Sequence, residues 1–226
     1  MEDVKVYKSF LKRAFDVLIS GIAIIVLALP MLIVAVAIKI DDPGPVLFKQ
    51  KRVGIKKNGK ITYFMIWKFR SMKMSTPHDT PTHLLENPEQ YITRVGKFIR
   101  KTSLDELPQI YQVFTSKLSA IGPRPALWSQ DDLVAEREKY GANDVKPGIT
   151  GWAQINGRDE LEIDVKARLD GEYAAALNAG KFKGFAMDVK CFIKTIGSIL
   201  KSDGVVEGGT GALSKQPEAE KQEVTK

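Results

Sequence analysis

The stretch Ala14–Ile38, AFDVLISGIAIIVLALPMLIVAVAI, carries a single charge, Asp16, close to its start. As a straight helix it would be about 37 Å long, enough to cross a hydrocarbon core of about 30 Å. A signal peptide has a shorter apolar region and a small-residue cleavage site, and nothing after Ile38 resembles one. A buried core helix is rarely this long and this uniformly apolar. The segment is therefore expected to be a membrane helix. Pro30, a little past its middle, lacks an amide hydrogen and opposes the carbonyl of Val26, so a kink is expected there. Lys5, Lys8, Lys12 and Arg13 precede the segment, and Lys39, Lys49, Lys51, Arg52, Lys56 and Lys57 follow it. Basic flanks favour the cytoplasmic side. A helix that breaks at Pro30 and returns to the same face satisfies both flanks, and this re-entrant form is the expectation. A Pro-kinked single span is the alternative.

Charge follows the same segment. Residues 1–73 hold 14 Lys+Arg against 5 Asp+Glu, whereas residues 74–226 hold 20 against 22. The net charge of +7 thus comes from the surroundings of the apolar stretch. Basic flanks on such a stretch point to anionic lipid headgroups rather than nucleic acid. A hydrophobic content of 44% excludes a disordered chain. The one cysteine, Cys191, excludes an internal disulfide and fits a reducing compartment such as the cytosol.

The remainder reads as an α+β, mainly helical domain. Asp41-Asp42-Pro43-Gly44-Pro45 is a break. Val46–Val53 and Ile61–Phe69 are β-prone and flank Asn58-Gly59, the signal of a small antiparallel hairpin. Residues 73–93, with Pro77, Pro81 and Pro88, read as a loop or insertion. Helical patterns dominate from Arg94 onward. Leu107, Ile110, Tyr111, Val113 and Phe114 mark one apolar face, Trp128–Tyr140 is charged and amphipathic, and 159–178 and 185–200 supply two more helices. In the last, Phe185, Val189, Phe192, Ile193, Ile196 and Leu200 share a face that could lie on the bilayer but is expected to pack on the core. The division is an anchor over 1–40, a cytosolic domain over 41–213 and a disordered tail over 214–226.

The common catalytic frames are excluded by composition. His78 and His83 are the only histidines and both fall in the Pro-rich loop, so neither a Ser-His-Asp triad nor a zinc cluster is expected. The chemistry falls to carboxylates and cations. Thr102-Ser103-Leu104-Asp105-Glu106-Leu107-Pro108 contains Ser103 and Glu106 at capping-box spacing, which explains the acidic pair structurally. Pro108 leaves the helix start open to either side of that pair. Arg94, Lys97, Arg100 and Lys101 just before it would attract phosphate and keep Asp105 ionised, as a carboxylate nucleophile requires. In Gly122-Pro123-Arg124-Pro125 two prolines hold Arg124 in an extended loop suited to a bidentate grip on phosphate; a surface turn is the plainer reading. Lys146–Trp152 and Asn156-Gly157-Arg158 combine glycines that permit close approach to a ligand with a further cation. Lys68 and Arg70 end the second hairpin strand, where solvated strand ends are the plainer reading.

Taken in order, Lys12-Arg13-Ala14-Phe15-Asp16, Gly44-Pro45-Val46, Lys68-Phe69-Arg70-Ser71-Met72, Ser103–Gln109, Gly122–Pro125 and Lys146–Arg158 resemble the bacterial sugar transferases. These are the monotopic polyprenyl-phosphate phosphoglycosyl transferases, and the resemblance runs from about Lys12 to about Leu200. It implies a re-entrant helix broken near a proline, with a hairpin and amphipathic interfacial helices at the cytosolic membrane surface. Leu29 stands where the family often has serine before that proline, so the kink would rest on Pro30 and packing. The resemblance further implies that Asp105 attacks the β-phosphorus of a UDP-sugar, expelling UMP. Polyprenyl phosphate, in bacteria undecaprenyl phosphate, would then take the sugar phosphate. Glu106 would help bind Mg²⁺, with Asp105 as the other carboxylate, or manage the acceptor's proton. Arg100, Arg124 and Arg158 match positions that engage phosphate or uridine, and Lys68 falls in the matching Lys-Phe-Arg motif. The implied setting is the bacterial inner membrane, at the first membrane step of exopolysaccharide, lipopolysaccharide or other glycoconjugate synthesis. Membrane lipids are expected partners, nucleic acid is not, and a homo-oligomer is left open. Two rivals stand beside this reading: a glycosyltransferase that releases UDP, and a non-enzymatic adaptor that binds anionic lipid.

Overall fold

The apolar stretch folds into one long helix, α1 (Lys12–Asp41), entered through a π-helical turn at Tyr7–Leu11. The computed structural model describes residues 7–76, 88–157 and 161–200. Helical backbone continues on both sides of Pro30, so α1 is not interrupted there. One stripe of α1 faces protein: Lys12, Asp16 and Ser20 near its start, then Met31, Val34 and Ile38. The opposite face, including Leu18, Ile22, Ile25, Leu29, Leu32 and Val36, is bare, reaching 79% exposure at Ile25. Among the described residues this is the one helix long and apolar enough to cross a membrane.

Both ends of α1 are fastened to the same body. Near its start, Asp16 accepts hydrogen bonds from Ser119 Oγ at 2.8 Å and the Ala120 amide at 2.9 Å. Arg13 donates to the carbonyls of Val113 at 2.7 Å and Phe114 at 2.6 Å. Lys12 pairs with Asp188 at 2.8 Å. At the far end, Met31, Val34 and Ile38 pack with Phe69 and Ile99. Asp41 accepts from the Val95 amide at 2.8 Å, and Asp42 is bonded by Arg70. Lys12 and Arg13, counted above among the headgroup-facing cations, are instead bound to protein.

The hairpin forms as read. β1 (Leu47–Lys57) and β2 (Lys60–Phe69) pair antiparallel from Leu47↔Phe69 to Lys57↔Lys60, with a register shift between Val53 and Lys56. Asn58 and Gly59, at φ +50° and +73°, make the tight turn with the two left-handed residues a two-residue hairpin loop requires. α2 (Arg94–Lys101) follows, capped by Thr93 Oγ1 accepting from the Gly96 amide at 2.8 Å. Then come a 3₁₀ turn at Leu104–Glu106, α3 (Gln109–Phe114), β3 (Ser119–Ile121), α4 (Asp131–Lys139), β4 (Gly148–Thr150), α5 (Trp152–Ile155), α6 (Ile163–Asn178) and α7 (Lys181–Leu200).

Three expectations need correction. The parallel pair β3–β4, with Ser119 opposite Gly148 and Ile121 opposite Thr150, lies in a region read as helical. The close approach permitted by Gly148 and Gly151 is to protein: a Cβ on either would sit 2.2 Å from the backbone of Gly122. On α7, Phe185, Val189, Phe192, Ile193 and Ile196 are exposed, so this face does not pack on the core. Phe185 instead meets Phe15 of α1 at 6.0 Å between ring centres, joining the two bare apolar surfaces. The tail beyond 213, His78, His83 and most of the Pro-rich loop lie outside the described residues.

Candidate active site

The acidic pair sits neither in a helix nor under a capping box. Ser103 adopts a left-handed conformation, φ +55°, and its side chain caps nothing. Asp105 and Glu106 therefore lie on a separate 3₁₀ turn, and α3 begins only after Pro108. The turn is seated by its neighbours: Leu104 and Leu107 pack into the cluster of Met31, Val34, Ile38, Phe69 and Ile99. The two carboxylates are thereby bolted to the C-terminal half of the apolar helix.

Lys68, near the end of β2, bridges the pair. Its Nζ lies 2.9 Å from Glu106 Oε1 and 3.5 Å from Asp105 Oδ2. Arg124 reaches the same Glu106 oxygen through Nη2 at 3.0 Å. Burial alone would raise the Glu106 pKa, but Arg124 and Lys68 outweigh it and hold the carboxyl well below the usual range. With its folded pKa depressed, Glu106 contributes stability above its unfolded pKa of about 4.5 and loses it as pH falls below that value. At neutral pH it is an anion.

Arg124 is held by its own loop, as the two prolines suggested, and the loop is no surface turn. Gly122, Pro123, Pro125 and Ala126 are all buried. The Gly122 amide donates to Thr150 at 2.8 Å and the Gly148 amide to Pro123 at 3.0 Å. Arg137 donates from Nη2 to the Arg124 carbonyl at 2.9 Å while pairing with Asp170. The short parallel strands and the Arg137–Asp170 pair thus aim a single guanidinium.

Lys68, Glu106 and Arg124 line a small cleft of about 10 Å³ together with Arg52 and Gln109, between apolar walls from Ile66 and Pro125. Two of these residues were missed in the sequence. Arg52 had been counted with the basic flank, yet it faces inward on β1 and donates to Gln50 Oε1 at 2.8 Å and the Pro125 carbonyl at 3.1 Å. Gln109, being neutral, gives no charge signal. Arg100 is half-buried on α2 and is not among the residues lining the cleft. Arg158 lies outside the described residues. Arg70, the other charge ending β2, is committed to Asp42 and the Pro45 carbonyl, so neither it nor Lys68 is a solvated strand end.

The cleft gathers three cations, Arg52, Lys68 and Arg124, around the Glu106 carboxylate, and Lys68 links it to Asp105, which is only 5% exposed and lies beside the lining. That arrangement suits a multiply charged anion such as a diphosphate. Among the described residues there is no group of three or more His, Cys, Asp or Glu that could cage a metal. Asp105 and Glu106 could supply two carboxylates at most. That fits Mg²⁺, which binds through one or two carboxylates plus the phosphates of its substrate.

A family model described as bacterial sugar transferase matches residues 7–202 of the chain. The UDP-glucose:undecaprenyl-phosphate glucose-1-phosphate transferase of Escherichia coli K12 is 40% identical over 176 residues, 72% of this chain and 36% of that protein. The uncharacterized sugar transferase EpsL of Bacillus subtilis 168 is 36% identical over 195 residues, 86% of this chain and 90% of that one. An N-acetylgalactosaminephosphotransferase of Aeromonas hydrophila acting on undecaprenyl phosphate is 38% identical over 201 residues, 87% of this chain and 45% of that protein. The chain therefore spans about a third of the E. coli relative and under half of the A. hydrophila one, but nearly all of EpsL.

Proposed function

The chain belongs to the bacterial sugar transferase family, and from that premise we propose that it is a phosphoglycosyl transferase. It moves a sugar 1-phosphate from a UDP-sugar to undecaprenyl phosphate. The activities for which the E. coli and A. hydrophila relatives are named support the reaction class, and they differ in the sugar. The observation that carries the reading here is the Asp105–Glu106 pair, bridged by Lys68 and faced by Arg124, seated on the apolar helix.

In this reading a carboxylate oxygen of Asp105 attacks the β-phosphorus. The bond from that phosphorus to the bridging oxygen breaks, and UMP leaves with the electron pair. An oxygen of the lipid phosphate then attacks the same phosphorus and the carboxylate departs, giving a lipid diphosphate sugar. Phosphoryl transfer needs in-line positioning and cations to absorb spreading charge more than it needs an unusual side chain. Lys68 and Arg124 meet that need. Both are held by Glu106 in the described conformation, and a cleft of about 10 Å³ has room for roughly one water. Binding therefore exchanges Glu106 for diphosphate oxygens as the partner of these cations. Mg²⁺, held by the two carboxylates together with the diphosphate, would further neutralise the leaving group's charge.

Position answers a solubility problem, because one substrate is aqueous and the other cannot leave the bilayer. A helix of 30 residues is about 45 Å long. A straight crossing would put its two ends on opposite sides of the membrane, yet both are fastened to one domain. That supports the re-entrant form, by a bend through Pro30 rather than a break, with the domain on the cytosolic face. The bare face of α7, continuous with α1 through Phe15 and Phe185, supports an interfacial lie for that helix.

Released nucleotide tests the chemistry: purified chain given UDP-sugars and undecaprenyl phosphate is expected to yield UMP, whereas UDP alone would favour a glycosyltransferase and no nucleotide a lipid-binding adaptor. Topology has its own test. Cys191 is fully buried and its thiol is pushed up to about 12, first by burial and then by Asp188, so it is unreactive in the folded chain. A cysteine introduced as Asp3→Cys should be labelled by membrane-impermeant maleimide only from the cytoplasmic side. Labelling from the periplasm would defeat the re-entrant form.

A further inference from the structure

Two glutamines of α3, Gln109 at its first position and Gln112 one turn on, are both essentially sealed from solvent, at 2% and 1% exposure. Their amides fare differently. Gln112 is fully used: Nε2 donates to the Met65 carbonyl at 2.7 Å and Oε1 accepts from the Trp67 amide at 2.9 Å, so it completes the edge of β2. Gln109 Nε2 has no hydrogen-bond partner. A buried donor without an acceptor is destabilising, and an apolar side chain of the same volume would avoid the penalty. Such a group calls for an explanation in what it faces. Gln109 lines the same cleft as Arg52, Lys68 and Arg124, where the carboxylate Glu106 already has Lys68 and Arg124 on one oxygen. The cleft is thus rich in donors and short of acceptors.

We propose that Gln109 is a substrate-binding residue whose side-chain amide donates to a phosphoryl oxygen brought into this cleft. The proposal rests on the phosphoglycosyl transferase reading and adds to it a neutral donor beside the cations. Lys68, Arg52 and Arg124 supply charge, which attracts any phosphate. Gln109 supplies a directed N–H on a rigid helix, which fixes where one oxygen sits. The oxygen belongs either to the diphosphate of the nucleotide sugar or to the phosphate of the lipid acceptor, and the two are separable by kinetics.

The test uses the full chain in detergent or nanodiscs with Gln109→Met, which keeps the volume and removes the donor. The KM for UDP-sugar should rise about tenfold or more with kcat changed by less than about threefold, as expected when ground-state binding is lost. If the KM for undecaprenyl phosphate rises instead, the donated bond goes to the acceptor's phosphate and the assignment to a phosphoryl oxygen holds. Unchanged KM values for both substrates, with only the melting temperature altered, would reduce Gln109 to a packing or water-binding role and overturn the proposal. Should Gln109→Met not fold, Gln109→Leu, which also lacks the donor and adds no charge, is read the same way. Should the unaltered chain release no UMP, the functional reading fails by itself. The inference is then read from inorganic diphosphate binding: weaker binding by the variant supports it, and equal binding sinks it.

Discussion

Asp105→Asn is expected to lose turnover by at least about a thousandfold while the chain stays folded. The amide has the shape of the carboxylate but offers neither the charge nor the basic oxygen that must bond to phosphorus. The fold should tolerate the change because the two side chains have the same shape and the turn is seated by its apolar neighbours. Lys68 is 2.9 Å from Glu106 and 3.5 Å from Asp105, and Leu104 and Leu107 hold the turn against α1. Turnover is measured as UMP release, and folding by circular dichroism and melting temperature. A variant that keeps a tenth or more of the activity would remove Asp105 as the nucleophile.

The second large effect is on stability. Arg137 and Asp170 are both buried, with Arg137 Nε 2.9 Å and Nη2 2.5 Å from Asp170 Oδ2. Removing one partner of such a pair leaves the other charge stranded and costs about 3–5 kcal/mol. Asp170→Ala should therefore lower the melting temperature by roughly 10 °C for a domain of this size. Replacing both partners, as Arg137→Met with Asp170→Leu, should recover much of the loss, because no orphan charge remains. A melting temperature of Asp170→Ala within a degree or two of the unaltered chain would contradict this. Since Arg137 also holds the Arg124 carbonyl, surviving Asp170→Ala protein should show a raised KM for UDP-sugar as well.

Much of this was legible in the chain because local chemistry and tertiary use agree. Asn58-Gly59 demands left-handed backbone, and the hairpin turn follows. The prolines around Arg124 stiffen a loop that the structure also buries. Other features have no local signature. The strands β3 and β4 are three residues each, too short for an alternating pattern, and are held by glycines that let Gly122 and Gly148 touch. Ser103 and Glu106 have capping-box spacing, but the left-handed Ser103 and the start of α3 after Pro108 put the acidic pair on its own turn. The apolar face of α7 reads identically whether it meets a core or a bilayer. Lys12, Arg13 and Asp16 look like a basic flank with a stray acid, yet their partners, Asp188, the α3 carbonyls and Ser119, are at least 100 residues away. Lys68 and Arg52 required the fold to bring β1, β2 and the acidic turn together.

The account depends on a covalent bond to Asp105, so the direct measurement is of that bond. The chain is given a UDP-sugar labelled at the β-phosphate, without lipid acceptor, and quenched for mass analysis. The predicted result is a sugar-phosphate adduct on the peptide containing Asp105, formed in step with UMP and discharged by added undecaprenyl phosphate. No adduct, with UMP appearing only once the acceptor is present, would mean direct displacement between the two substrates and would contradict the account.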